Sequence, residues 1–340
     1  MKHRDSGSLE SHMEWFRGEK YNFIGLVDDN ARTEPQSSVP FNGVEVWSGM
    51  NSAGFCIMNT ATYDLKDDDV PSSQMDREGQ VMYKALSICK DIADFEKLLD
   101  ELERPMGVEA NFGVIDAYGG AAYYEVNNEK WVKFDVNDEP DGYMVVTNFT
   151  RTGRKEDRRG EDRFKFTSDM MGQVIKSAKE SSASGLKYGI KGIDHKFLYY
   201  MVSRSGAPVV RDITSSSIVF EGVKKGDNPA YTVMWTALGF PMSTIYLPLL
   251  VTDKDNIPSY MRQDSGTGHA LMCSNALKMK GKNVLPNILE VEKKVDSRFN
   301  SIYSRWKGSR MSNKQFFRNY DLFMSRILDD YNNELKEYLK

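Results

Sequence analysis

Apolar positions along this chain switch between two spacings. Alternating or continuous apolar runs of strand length occur at Tyr21–Val27, Gly43–Trp47, Phe55–Asn59, Asn111–Ile115, Ala121–Val126, Trp131–Asp135, Tyr143–Thr147, Ser216–Glu221 and Ala230–Leu238. The Gly43–Trp47 and Phe55–Asn59 runs read as a hairpin turned through Gly49–Gly54, and an extended segment follows Leu238 as far as Val251. Between these runs the spacing becomes helical. Val81, Ala85 and Ile88 fall near one face, then Phe95, Leu98, Leu99 and Leu102; Pro105 and Gly107 end that region. Phe164–Lys179 and Lys196–Ser203 read as further helices. From Ile288 to Trp306, and from Phe316 to Tyr338, aromatic and aliphatic residues recur every three or four positions, with a Ser312/Gln315 capping box between the two stripes. Strands and helices in this order predict an α+β fold of mostly antiparallel strands with helices layered outside.

The hairpin around Asp116 carries an unusual number of small residues: Gly119, Gly120, Ala121 and Ala122. A surface hairpin needs none of them, so the reading here is close packing of a second sheet or a helix layer.

Composition narrows the function classes. The chain has 340 residues, 28% charged, with a net charge of −4. No overall basic field points to nucleic acid, and no run reaches the ~20 apolar residues of a membrane span; neither partner is expected. Three cysteines, Cys56, Cys89 and Cys273, form no CxxC pair, and the four histidines lack metal spacing, so neither a metal nor another cofactor is expected. Cys56 and Cys89 read as buried core thiols, and His269 with Cys273 as a helix pair. "KDDDV" at 66–70 and "RKEDRRGEDR" at 154–163 read as solvated loops, and "ESSASG" at 180–185 as a linker.

Four stretches place a polar residue after an apolar run: "KHRDSG" with Asp5, "GMNSAGFCIMNTATY" with Asn59, the hairpin with Asp116, and "YMVVTNFTRTG" with Asn148. A carboxylate and two amides at one sheet rim can orient an amine and stabilise an oxyanion.

The order and spacing of these stretches over Met1–Leu250 resemble the choloylglycine hydrolase and penicillin V acylase family of N-terminal-nucleophile (Ntn) hydrolases, and more closely its isopenicillin N acyltransferase-like branch. "NSAGFCIMNTA" is like the family's N-x-x-G…N strands, "VVTN" is like its TN strand end, and "KHRD" is like its R-N-x-D strand. The resemblance implies an αββα sandwich of two antiparallel sheets between helix layers over residues 1–282, with 283–340 as a helical extension packed on it. It implies hydrolysis of a linear amide C–N bond in a small-molecule substrate. An N-terminal Cys would attack the carbonyl, with its own α-amine as base. In that scheme Asp5 holds the amine or thiol, Asn59 donates to the oxyanion, and Asn148 binds the amine or substrate amide. Lys2 stands where the family has Arg, a point charge in place of a bidentate fork; Arg211 is the candidate for the family's late arginine. The family Cys lies ~15–20 residues before Asp5, two short strands and a turn upstream, where this chain has four residues. Two readings stay open: a chain that starts part-way into the domain, or a binding member without the nucleophile. The aromatic stripes are expected to cover a sheet face or form a subunit contact in a homo-oligomer.

Overall fold

Strand β3, Phe23–Val27, shows how the layers arise. Phe23 and Val27 face one apolar cluster while Ile24 and Leu26 face another, and all four are fully buried. A strand buried on both faces lies between two layers. The computed structural model describes residues 1–28, 44–65, 70–71, 74–181, 194–264, 267–281 and 283–339.

β3 belongs to a seven-stranded antiparallel sheet with β2 (His12–Phe16), β4 (Ser48–Asn51), β5 (Cys56–Ala61), β6 (Ala110–Ile115), β7 (Ala121–Val126) and β8 (Trp131–Asp135), paired in chain order. Its outer face is covered by α1 (Glu78–Ile88) and α2 (Ile92–Glu101). Val81, Met82, Ala85 and Leu86 of α1 share a core with Phe23, Phe55 and Ile57, while Phe95 of α2 stands edge-on to Phe112 and Tyr124. The inner face meets a four-stranded antiparallel sheet in the order β1 (Lys2–Arg4), β9 (Ser216–Glu221), β10 (Val233–Leu238), β11 (Leu247–Leu249). Beyond that sheet lie α6 (Leu285–Lys307) and α7 (Asn313–Leu339). The protein is therefore an αββα sandwich, as the resemblance implied. The remaining helices are α3 (Glu161–Ser181), α4 (His195–Phe197, continued by one wide turn, Leu198–Val202) and α5 (His269–Met279).

The aromatic stripes cover the second sheet within one chain. Phe299, Trp306, Phe316, Tyr320 and Tyr331 are buried in its core; Trp306 stacks on Phe316 at 3.9 Å, and the Tyr320 hydroxyl donates to Pro248 O at 2.6 Å. Ser312 Oγ accepts from Gln315 N at 3.3 Å, the forward half of the capping box.

Three expectations are corrected. The segment 44–47 is not a strand; "GMN", read as the turn, is itself β4, and the chain turns at 52–55. Asn51 makes that turn: its side chain accepts from Ala53 N and Phe55 N and donates to Leu86 O and Cys89 O at the end of α1. Tyr143–Thr147 joins neither sheet. The glycines of the β6–β7 hairpin serve the turn, and of the two neighbours expected it is the helix layer, not the second sheet, that Gly120 and Ala122 pack against. Gly119 has φ +95 with open space around it, and a Cβ on Gly120 would lie 2.3 Å from Asp116 Oδ2. Asp116 accepts from Tyr118 N, Gly120 N and Ile92 N, tying the hairpin to the start of α2. Ala122 is buried, but against the helix layer. Most of "KDDDV", all but Glu180 and Ser181 of "ESSASG", and the His269 side chain lie outside the described residues.

Two buried carboxyls sit at the start of α1. Glu78 accepts from Glu109 N at 2.9 Å, and Glu45 packs against Gly79. Burial raises each from 4.5 to about 7, with Asp76 nearby adding to it. The folded protein thus binds more protons than the unfolded chain between those values. The stability these two carboxyls contribute is fully present below about pH 4.5 and is lost as pH rises through about 7. Glu78→Gln is expected to remove on the order of 1–3 kcal/mol of that fall between pH 5 and 8. Urea melts at both pH values check this; an unchanged slope in the variant counts against it.

Candidate active site

The two sheets part at one end around a cavity of about 1440 Å³, and Lys2, Asp5, Asn59, Asn148 and Arg211 all line it. They reach it from separate elements. Lys2 lies on β1 and Asp5 just after it; Asn59 is inside β5, not at its end; Asn148 stands on an extended segment; Arg211 is on the loop before β9. Asp116, grouped with them in sequence, does not line the cavity.

β1 divides the cavity side chains into two groups by strand alternation. Lys2 and Arg4 face the seven-stranded sheet. Lys2 Nζ donates to Trp47 O at 2.6 Å and Asn59 Oδ1 at 2.5 Å. Arg4 pairs with Asp28 and lies over the Trp47 ring. Asn59 is buried, and with its oxygen taken by Lys2 its Nδ2 has no hydrogen-bond partner among the described residues. Burial, reinforced by the nearby Arg4 charge, holds the Lys2 ammonium well below its usual range.

His3 and Asp5 face the other way. Asp5 accepts from the Thr214 hydroxyl at 2.7 Å and lies 3.4 Å from Arg211 and 3.7 Å from Arg163. Arg163 also donates to Asn148 Oδ1 at 2.8 Å, so one guanidinium joins Asp5 to Asn148. Asn148 Nδ2 donates to Ala61 O at 2.8 Å, which leaves one amide N–H uncommitted. His3 Nδ1 lies 3.4 Å from Val209 O, and burial lowers the ring to about 4, so it is neutral at physiological pH. No contact joins the Lys2–Asn59 pair to the Asp5–Arg163–Asn148 chain among the described residues.

The cavity wall explains why Tyr143–Thr147 is extended yet outside the sheet. From Thr147 to Thr152 side chains of β5, β6 and β7, with Asp64 after β5, bond the backbone in place of a ladder. Thr60 Oγ1 donates to Thr147 O at 2.8 Å; Asn111 Nδ2 donates to Phe149 O at 3.1 Å and Thr147 O at 3.3 Å. Asp64 accepts from the Thr150 N–H and hydroxyl, and Glu125 from Thr152 N at 3.0 Å and its hydroxyl at 2.6 Å. Asn111 is the buried clamp on both sides of Asn148. Asn111→Ala strands the Phe149 carbonyl and leaves Thr147 O to Thr60 alone, and is expected to cost ~1–3 kcal/mol in a denaturant melt; a loss under half a kcal/mol would deny it that role.

Sequence reasoning missed Arg163, Thr214 and Asn111. Arg163 was hidden in a charge run read as a solvated loop; the signal was that the run ends in Gly160 and the first turn of α3, shortly after "TN". None of the cysteines is placed as a nucleophile. Cys56 is fully buried between the sheets and burial pushes its thiol far up, while burial pushes Cys89 up to about 12 and raises Cys273 as well. Among the described residues no cluster of His, Cys, Asp and Glu is arranged to hold a metal, and no helix is long and apolar enough to cross a membrane.

No family model matches the chain, and no curated protein sequence matches it. Among solved structures the chain is similar to a variant of the conjugated bile acid hydrolase from Clostridium perfringens, at 11% identity and TM-score 0.40, covering 73% of this chain and 87% of that one. With a second variant of the same hydrolase the alignment spans only half of that chain, 50%, and 49% of this one, at 14% identity and TM-score 0.28. It is also similar to penicillin V acylase from Agrobacterium tumefaciens, at 14% identity, 73% and 80% coverage and TM-score 0.37. The Caenorhabditis elegans ortholog of N-acylethanolamine-hydrolyzing acid amidase aligns at 11% identity, 71% and 86% coverage and TM-score 0.42. At such distances the reading of the site rests on its own geometry.

Proposed function

We propose that this chain is the framework of a hydrolase acting on linear amide C–N bonds, with the nucleophile supplied by a cysteine upstream of Met1. One observation carries the proposal: Asn59 lines the same cavity as Asp5 and Asn148 with an amide N–H group that has no partner among the described residues, its oxygen held back by Lys2. In the proposed reaction the thiolate adds to the amide carbonyl carbon, and the carbonyl electron pair moves onto oxygen, where Asn59 Nδ2 donates to it. Asp5, flanked by Arg163, Arg211 and the Thr214 hydroxyl, holds the α-amine that takes the thiol proton. Collapse re-forms the C=O bond and breaks the C–N bond near Asn148, the α-ammonium returning its proton to the leaving amine nitrogen, and water then hydrolyses the thioester to the acid and the free thiol. Lys2 acts here by orienting Asn59, and Arg211 by positioning Asp5.

A second reading, a binding member of the same fold, is favoured by the three internal thiols, which burial keeps protonated. The coding DNA ahead of the Met1 codon separates the two. The hydrolase reading expects an in-frame Cys ~15–20 residues before Asp5; an in-frame stop with no such Cys supports the binding member.

A further inference from the structure

The cavity holds a second chemistry that amide hydrolysis does not use. Lys2 differs from Arg4 and Asp5 of the family-like "KHRD" stretch in meeting neutral groups alone: the Trp47 carbonyl and the Asn59 amide oxygen. Among the described residues no carboxylate lies within ion-pair distance of its Nζ. The nearest acid on that side, Asp28, is engaged by Arg4 and by the Ser11 hydroxyl. Arg4, on the same face of β1, adds a like charge. Two donated N–H bonds are what a neutral amine has to give, so the two contacts leave its lone pair as the third direction around nitrogen. The residue is 8% exposed, yet it lines the cavity, where Met58, Tyr143, Val145, Val209 and Ile213 supply apolar wall beside the charged Asp5, Arg163 and Arg211.

We propose that Lys2 Nζ is a nucleophilic amine that captures apolar aldehydes entering this cavity as an imine. The nitrogen lone pair adds to the aldehyde carbon and the carbonyl electron pair moves to oxygen, which the Asn59 amide N–H receives. A proton passes from nitrogen to that oxygen, giving a carbinolamine. Loss of the hydroxyl with the second nitrogen proton releases one water and leaves the C=N bond. Burial and the Arg4 charge support this by disfavouring the ammonium form, and a one-unit fall multiplies the free amine present at neutral pH by about ten. A Lys at this position is thus not interchangeable with the Arg of the resembling family, which cannot lose its proton.

The test uses the 340-residue chain with hexanal and sodium cyanoborohydride at pH 7, followed by peptide mapping. Cyanoborohydride delivers hydride to the imine carbon and fixes the adduct as a secondary amine. Lys2 is expected to carry the hexyl group at a rate ~10-fold or more above the exposed lysines, whose ordinary values near 10.4 leave them protonated. The competing group is the Met1 α-amine, which burial lowers to about 6; fragment ions of the N-terminal peptide separate it from Nζ. Lys2→Met, and Lys2→Arg should the first not fold, removes the adduct while circular dichroism stays native. Labelling confined to the Met1 amine or spread over surface lysines overturns the proposal, as does a Lys2 ε-methylene signal titrating at or above the ordinary lysine value. This readout needs no upstream cysteine and no amide turnover, so its failure leaves the hydrolase reading untouched.

Discussion

Glu292→Leu is expected to lower stability by ~3–5 kcal/mol, because it leaves the Arg204 guanidinium buried without its counter-charge. Arg204 and Glu292 are 8% and 1% exposed and meet in a bidentate pair at 2.7 and 2.8 Å. The pair ties α6 to the chain after α4. Arg204 also donates to Pro241 O at 2.8 Å and Thr244 O at 3.1 Å, and Glu292 accepts from Tyr246 N at 2.8 Å. Every polar atom of the pair is therefore engaged in holding loop carbonyls and amides around the second sheet. Replacing both partners, Arg204→Met with Glu292→Leu, removes the stranded charge but strands those backbone groups, so only part of the loss returns. Urea melts of the two single variants and the double variant measure the coupling. A Glu292→Leu loss under 1 kcal/mol would mean that this ion pair does not anchor the helix layer.

The second large effect falls on the chemistry. In a polypeptide that carries the upstream cysteine ahead of Met1, Asn59→Ala is expected to lower kcat by ~10²–10³ with KM little changed, the signature of a donor that acts on the developing oxyanion. Asn59 sits within β5, flanked by Met58 and Thr60, and paired to Phe112 on β6, so the backbone that carries it is fixed by the sheet. Loss of KM alone would make Asn59 a substrate-binding group, and an unchanged kcat would remove it from the mechanism.

Much of this arrangement is legible in the sequence because the relevant signals are local. Ala121–Val126, Trp131–Asp135 and Ser216–Glu221 are strands over those same residues, and the stripes from Ile288 onward form two helices that bury them. Lys2, Asp5, Asn59, Asn148 and Arg211 meet in one cavity because each lies at a fixed distance from a strand that the sandwich brings to one end. What is not legible depends on tertiary partners. Tyr143–Thr147 has strand composition, but it joins neither sheet, and its last carbonyl, Thr147 O, is taken by the Thr60 and Asn111 side chains. Asp116 follows an apolar strand as Asn59 lies within one, yet its acceptors are used by three backbone N–H groups of its own neighbourhood. Arg163 differs from the arginines just before it only in falling in the first turn of α3, and its role shows once Asp5 and Asn148 are seen on either side of it.

The central claim is that the cavity is the oxyanion and amine-holding half of an amide hydrolase and lacks only its thiolate. Turnover of penicillin V and of glycine-conjugated bile salts, compared between the 340-residue chain and the same chain preceded by an added Cys-led segment, tests it most directly. The account predicts turnover by the extended polypeptide and none by the shorter chain, whose residual electrostatic catalysis of ~10³–10⁴ over water is invisible against so slow a reaction. Turnover by the shorter chain that Cys56→Ala or Cys273→Ala abolishes would contradict it, and would place the nucleophile inside the chain.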